Sequence, residues 1–65
     1  MFTSMSECDF AVFRTFDENQ HLVYDVVGMT QKVHLAHFTF RQYEPKDLGN
    51  VLHSLVQDGF KVCMR

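Results

Sequence analysis

Four histidines and two cysteines are the side chains of this 65-residue chain that could bind a metal ion or act in catalysis. His34 and His37 are three residues apart, and side chains at that spacing point to opposite faces of a strand. We predict a strand in this segment, so the pair cannot chelate one ion unless the strand contains a bulge. Cys8 and Cys63 are far apart, whereas structural zinc sites favour closely spaced ligand pairs. A His/Cys zinc-binding module is therefore the least favoured function, and no metal or cofactor is expected.

The two cysteines are interpreted as small buried apolar side chains. A disulfide between them would require Cα atoms within about 7 Å of each other, a distance that adjacent strands supply. The sequence MFTSMSECDF at the amino-terminal end has neither a basic segment nor a continuous apolar segment, so it is not a signal peptide. The sequence therefore predicts a reducing cytoplasm as the compartment of this protein.

Catalysis finds little support in the residue types. A cysteine beside a histidine can form a nucleophile and its base, but no local spacing brings the two together. Three glycines in separate segments cannot form a phosphate-binding loop. A small sheet with one helix also leaves little room for a substrate cavity of about 300 Å³ or more. We therefore expect that this protein is not an enzyme.

The charge pattern disfavours nucleic acid as a partner. The net charge is −2 and the six basic residues are scattered, whereas nucleic-acid binders usually show a basic excess or a basic stripe. The alternative function is a nucleic-acid-binding regulator that uses one aromatic and basic sheet face, formed by Arg14, Lys32, Arg41 and Tyr43. A membrane role is not expected, because no apolar stretch approaches the roughly 20 residues that span a bilayer.

Residues 44–60, EPKDLGNVLHSLVQDGF, contain the signals of a complete helix. Pro45 suits the first helical position, and Asp47 places a negative charge in the first turn. Gly59 suits the position after the last turn, from which Phe60 can fold back onto the helix. The apolar side chains that share one helical face are expected to be buried against a sheet; they are Leu48, Val51, Leu52, Leu55 and Val56.

The remaining segments are rich in β-branched and aromatic residues and are predicted to be strands. The predicted strands are residues 9–16, residues 21–27, residues from 31 or 32 to about 43, and residues 60–65, with a hairpin turn at residues 17–20. Within the third strand the apolar positions change from odd to even numbers, which indicates a bulge or a strand buried on both faces. Phe38 and Phe40 share a parity and are expected to be core under the helix.

The order β-β-β-α-β predicts a small α+β domain, with a mainly antiparallel sheet and one helix packed on one face. Residues 1–65 are expected to form a single domain, with residues 1–7 as an arm. A strand-helix-strand connection within one sheet makes the last strand parallel to an earlier one. Either the first or the third strand fits this role.

One face of the predicted sheet is not covered by the helix and carries apolar residues, of which Phe13 and Val23 are examples. Together with seven phenylalanines, this face predicts self-association, as a two-fold dimer that forms through the open face or through edge strands.

By elimination, the sequence predicts a small regulatory or inhibitory protein that acts by binding another protein. The predicted contact surface is the polar face of the helix together with the preceding corner of the chain, where aromatic and polar side chains can anchor a partner; it consists of Tyr43, Lys46, Asn50, His53 and Gln57. The competing surface is the edge and open face of the sheet. Gly49 lies on the same side of the helix, either because it packs closely against Tyr43 or because another backbone approaches it.

Overall fold

The computed structural model describes residues 8–64 of the chain. The elements in chain order are β1 (Phe10–Phe16), β2 (Leu22–Gly28), α1 (Gln31–Ala36), β3 (Phe40–Tyr43), α2 (Pro45–Gln57) and β4 (Val62–Met64). The strands form one sheet in the order β3-β2-β1-β4, in which β4 runs parallel to β1 and the other neighbours are antiparallel. The predicted small α+β domain is confirmed. The arm expected at residues 1–7 lies outside the described residues.

A tight hairpin joins β1 to β2 at the predicted turn. The backbone N–H of Asp17 donates to the carbonyl oxygen of His21 (2.9 Å), and Gln20 adopts a left-handed conformation with φ 68°. The Asp17 carboxylate accepts hydrogen bonds from the backbone N–H groups of Asn19 and His21, as short acidic side chains commonly do in turns. These bonds fix the register in which Phe16 lies opposite Leu22.

Helix α2 begins and ends as the sequence predicts. Pro45 is its first residue, and Gly59 has a left-handed φ of 90° just beyond its end. The backbone N–H of Phe60 donates to Leu55 O (3.1 Å), and that of Gly59 donates to Val56 O (3.0 Å). This pair of bonds is the Schellman arrangement, which glycine permits at little conformational cost. The turn directs Phe60 back onto the core.

The core lies between the helices and one face of the sheet. It consists of buried side chains from every layer, which are Phe10, Val12, Val26, Val33, Leu48 and Leu55. Phe10 is fully buried, and its ring lies within 5.7 Å of the rings of His37, Phe38 and Phe60, measured between centroids. Such tilted and edge-on contacts stabilise aromatic pairs beyond the burial of their area.

The prediction of a third long strand is wrong. Its first part is helix α1, because the Oγ1 of Thr30 accepts a hydrogen bond from the backbone N–H of Val33 (3.4 Å) and so caps a helix. A Cβ on Gly28 would lie 2.6 Å from Val33 Cγ1, so glycine allows this helix to approach the sheet. The change of apolar parity thus marks the end of a helix. His34 and His37 consequently belong to α1 and its carboxyl-terminal cap.

Two residues expected in the core are exposed. Val56 is 59% exposed, because it lies at the margin of the apolar face whose centre is occupied by Leu48 and Leu55. Phe40 is 56% exposed, because it pairs with Val27 on the sheet face that the helices do not cover. Phe38 precedes β3 and does pack against the core, as expected.

A disulfide and a carboxylate together attach β4 to β1. Cys8 and Cys63 are disulfide-bonded, with Cα atoms 5.9 Å apart, so the interpretation of both as free apolar side chains is wrong. On the same corner, the Asp9 carboxylate accepts hydrogen bonds from the Lys61 backbone N–H (2.9 Å) and from the Thr30 hydroxyl (3.1 Å). The Lys61 N–H is the main cause that lowers the pKa of Asp9; the Thr30 hydroxyl and the Lys32 and Lys61 ammonium groups assist, and desolvation opposes them.

We expect that Leu55→Ala lowers the free energy of unfolding by about 2–5 kcal/mol, because it leaves a cavity under α2. Chemical denaturation measures the change. Val56→Ala is the matched control on the adjacent, exposed position, and it should change stability by no more than about 0.5 kcal/mol. Equal effects of the two substitutions would contradict the described orientation of α2.

We expect that Asp9→Asn lowers the melting temperature at neutral pH, because an amide replaces a carboxylate that accepts two hydrogen bonds. The folded-state pKa of Asp9 lies below its ordinary value of 3.8. The stability that the ionised Asp9 carboxylate gives to the folded protein is therefore fully present above pH 3.8. It is lost as pH falls through the lower, folded-state pKa. Melting curves recorded across the acid range should show that the difference between variant and wild type shrinks in acid.

Candidate functional site

Four of the five predicted contact residues form a line along the outside of α2. Lys46, Asn50, His53 and Gln57 are all exposed, and at 100° per residue they lie within roughly 60° of one another around the helix axis. Leu48 and Leu55 anchor the opposite side of the helix in the core. We call these four residues the outer stripe of α2. Its side chains carry amide, ammonium and imidazole groups, which can form hydrogen bonds with a partner.

Within the outer stripe, two side chains touch each other. The Nε2 atoms of Gln57 and His53 are 3.5 Å apart, one helical turn from each other. Exposed Val56 follows His53 by three residues, so an apolar side chain lies beside the stripe. An interface commonly combines an apolar contact with surrounding polar groups. The sequence prediction missed this exposed valine, because helical periodicity alone does not fix the width of the buried face.

Tyr43, the fifth predicted contact residue, is positioned differently from the other four. It lies on β3 opposite Tyr24, is half-buried, and packs against the core, with its ring centroid 6.4 Å from that of Phe38. Its half exposure agrees with the expectation for the corner before Pro45. The core contact means that Tyr43 supports the fold as well as any contact surface.

Gly49 lies next to the outer stripe and faces open space. A Cβ added there would meet no atom within 4 Å. The interpretation that Gly49 packs closely against Tyr43 is therefore wrong. The other interpretation, close approach by the backbone of a partner, stays a prediction.

A cavity of about 420 Å³ lies at the corner between the β1–β2 hairpin and the start of α2. Its apolar lining is Leu22, Val23 and Pro45. One ion pair and one histidine–carboxylate contact lie among its lining residues. Lys46 Nζ is 3.4 Å from Glu44 Oε2, and His21 Nδ1 is 3.9 Å from Asp17 Oδ2. The expectation that the fold leaves little room for a cavity of about 300 Å³ or more is wrong. The lining residues come from two segments, 17–23 and 44–46, that are distant in sequence, so no local pattern predicts the site.

The open face of the sheet is the competing surface. Alternation along β1 and β2 places Phe13 and Asp25 on this face, and Asp25 Oδ1 accepts a hydrogen bond from Gln42 Nε2 (2.7 Å). Phe13 is 36% exposed, whereas Val23 is buried. Among residues 8–64, Phe13 and Phe40 are therefore the large exposed apolar side chains of this face, and Val23 is not accessible as an anchor.

The residues of the nucleic-acid alternative do not share one open face. Arg14, Arg41 and Tyr43 lie on the side of the sheet that α2 covers, as their pairing with Tyr24 and Val26 shows. Lys32 lies on α1 instead, with its ammonium 3.8 Å from Asp9 Oδ2 and 4.9 Å from the Phe60 ring centroid. The Arg41 guanidinium lies 4.7 Å from the Phe38 ring centroid.

The histidines and cysteines offer no assembled metal site within residues 8–64, where no group of three or more His, Cys, Asp or Glu is placed to hold an ion. The disulfide uses both cysteine sulfur atoms. His34 Nε2 lies 3.2 Å from Gly28 O and can donate a hydrogen bond to it. His37 packs its ring among Phe10, Phe38 and Phe60.

Comparison of the sequence with protein-family models, with curated proteins and with solved structures finds no match. Of the helices in the described part of the chain, none has the length and apolar character required to cross a membrane.

We expect that Gly49→Ala raises the free energy of unfolding by up to about 1 kcal/mol, because alanine has the higher helix propensity and the site has space for its methyl group. Thermal or chemical denaturation measures the gain. Gly59→Ala is the opposing control: its left-handed φ of 90° disfavours alanine, so this substitution should destabilise the protein. A loss of stability in Gly49→Ala would show that a neighbour packs against this glycine.

Proposed function

We propose that this protein is a small, non-enzymatic regulatory or inhibitory protein that binds another protein and does so as a homodimer. The observation that carries the proposal is the outer stripe of α2. Four polar side chains line up on a helix that is firmly anchored on its other side. A rigid helix can present such a line of groups without ordering its own backbone on binding, which reduces the cost of association.

The geometry around Lys46 supports a protein as the partner. Lys46 belongs both to the outer stripe and to the lining of the corner cavity. A partner that contacts the stripe can therefore insert a side chain into the cavity, against Leu22 and Pro45. Interfaces gain much of their affinity when an anchor side chain fills a pocket of this kind.

The proposed compartment is the cytoplasm. The Cys8–Cys63 disulfide weighs against this part of the proposal, because such bonds persist mainly in oxidising compartments. The outer stripe and the corner cavity do not involve either cysteine, so the proposed binding does not depend on the compartment.

The proposal is tested by affinity capture of partners from the native host with wild-type protein and with Lys46→Ala and His53→Ala. Each substitution should weaken binding of the captured partner by at least about 1 kcal/mol, because it truncates a polar contact of the stripe. Lys61→Ala is the matched control, since Lys61 is an exposed lysine outside the outer stripe and donates its hydrogen bond to Asp9 from its backbone N–H. Tyr43→Ala should weaken binding too, but it also removes a ring from the core.

Two outcomes would overturn this assignment. Normal binding by both stripe variants, combined with loss of binding in a folded Phe13→Asp variant, would assign the function to the open sheet face. Retention of an oligonucleotide in a mobility shift that weakens steeply with added salt would favour nucleic acid instead, because phosphate contacts release counterions.

A further inference from the structure

The corner cavity is formed by two segments that the fold brings together. Residues 17–23 are the β1–β2 hairpin and the start of β2, and residues 44–46 are the start of α2. A hydrogen bond from the Asp17 N–H to His21 O (2.9 Å) closes the hairpin, and the burial of Leu48 in the core fixes the first turns of α2. The walls of the cavity are therefore in place before a ligand binds, which lowers the cost of binding.

The lining of the cavity combines apolar and acidic side chains. Leu22, Val23 and Pro45 supply apolar surface. Asp17 and Glu44 bring one carboxylate from each of the two segments. A side chain with an apolar stem and a positively charged end matches both parts of this lining.

The Asp17 carboxylate can accept a further hydrogen bond. Its Oδ1 already accepts from the backbone N–H groups of Asn19 and His21, at 2.9 Å each. Its Oδ2 lies 3.9 Å from His21 Nδ1, which is too far for a hydrogen bond, and it accepts none from residues 8–64. Only 29% of the Asp17 side chain is exposed, so a cation bound there is partly shielded from water and is attracted more strongly.

The Glu44 carboxylate is available to a ligand as well. Its Oε2 is 3.4 Å from Lys46 Nζ, but the two side chains are 63% and 77% exposed, and such exposed pairs contribute little. Within the described helix, Glu44 makes no side-chain capping bond. The two carboxylates of the lining outnumber its one ammonium, and the His21 imidazole is charged only when protonated. The charges of the lining therefore favour a cation.

We propose that the corner cavity binds an arginine side chain of the partner protein. This inference rests on the proposed function, in which the partner contacts the outer stripe and inserts a side chain beside Lys46. The arginine methylene groups pack against the apolar lining, while the guanidinium donates to Asp17 Oδ2 and to Glu44. A guanidinium has five N–H donors in one rigid plane and can bond two carboxylates at once, whereas the lysine ammonium is a compact and more strongly hydrated charge. The donor geometry therefore favours arginine over lysine.

Titration of the isotope-labelled protein with Nα-acetyl-arginine amide, followed by NMR at neutral pH, tests the cavity without a partner. Backbone amide signals of residues 17–23 and 44–46 should shift and saturate in the millimolar range, as expected for a single side chain. Nα-acetyl-citrulline amide is the matched control ligand, because citrulline has the same length but no charge. It should bind at least roughly tenfold more weakly, since it loses the charge-assisted hydrogen bonds.

Two substitutions test the carboxylates. Glu44→Gln and Asp17→Asn should each weaken binding of the arginine amide by about threefold or more, because each removes one negative charge from the lining. The asparagine oxygen can still accept the hydrogen bonds of the turn. Asp58→Asn is the matched control variant, because Asp58 is an exposed carboxylate at the opposite end of α2, and it should leave binding unchanged. The NMR spectrum of each variant shows whether it is folded.

Three results would overturn the proposal. Equal binding of the arginine and citrulline amides would exclude recognition of the charge, and shifts confined to other segments would exclude the cavity. Equal or tighter binding of Nα-acetyl-lysine amide would exclude selection of the guanidinium. His53→Ala separates this proposal from the outer stripe, because it should weaken the partner and leave the arginine titration unchanged. A failed titration beside a weakened partner would therefore reject the cavity site alone.

Discussion

The arrangement of the sheet depends most on the hydrogen bonds that the Asp9 carboxylate accepts. The Asp9 carboxylate accepts one hydrogen bond from Thr30, which follows β2, and one from Lys61, which precedes β4. Lys61 is 52 positions away from Asp9 in sequence. The Asp9 backbone contacts both segments as well. Its N–H donates to Lys61 O (2.8 Å), and its carbonyl oxygen accepts from the Met29 N–H (2.7 Å). Three distant segments therefore meet at one residue. Over the three residues of β4, this junction adds to a short ladder with β1.

The disulfide reinforces the same junction through Cys8, the residue next to Asp9. A chain of 65 residues buries only roughly 60% of the surface that its unfolded form exposes, less than a larger domain does, and is marginally stable without additional constraints. In the chain-entropy description, a bond that closes a loop of this length, 55 residues apart in sequence, stabilises the fold by about 4 kcal/mol. Cys8 is next to Asp9 in the sequence, and Cys63 is next to Val62, the first residue of β4. One short contact between β1 and β4 thus carries a covalent bond, a charge-assisted hydrogen bond and a strand ladder.

Local signals made much of the fold predictable, and non-local contacts explain what was not. Pro45, Asp47 and Gly59 defined α2 because each satisfies a requirement of a helix end within a few residues. Helix α1 forms where we predicted a strand, because Thr30 caps it and Gly28 leaves space beside the sheet. The prediction gave more weight to the strand-forming residue types of this segment. The line of Lys46, Asn50, His53 and Gln57 follows from helical spacing alone. The corner cavity, the disulfide and the Asp9 junction join residues that no local pattern connects.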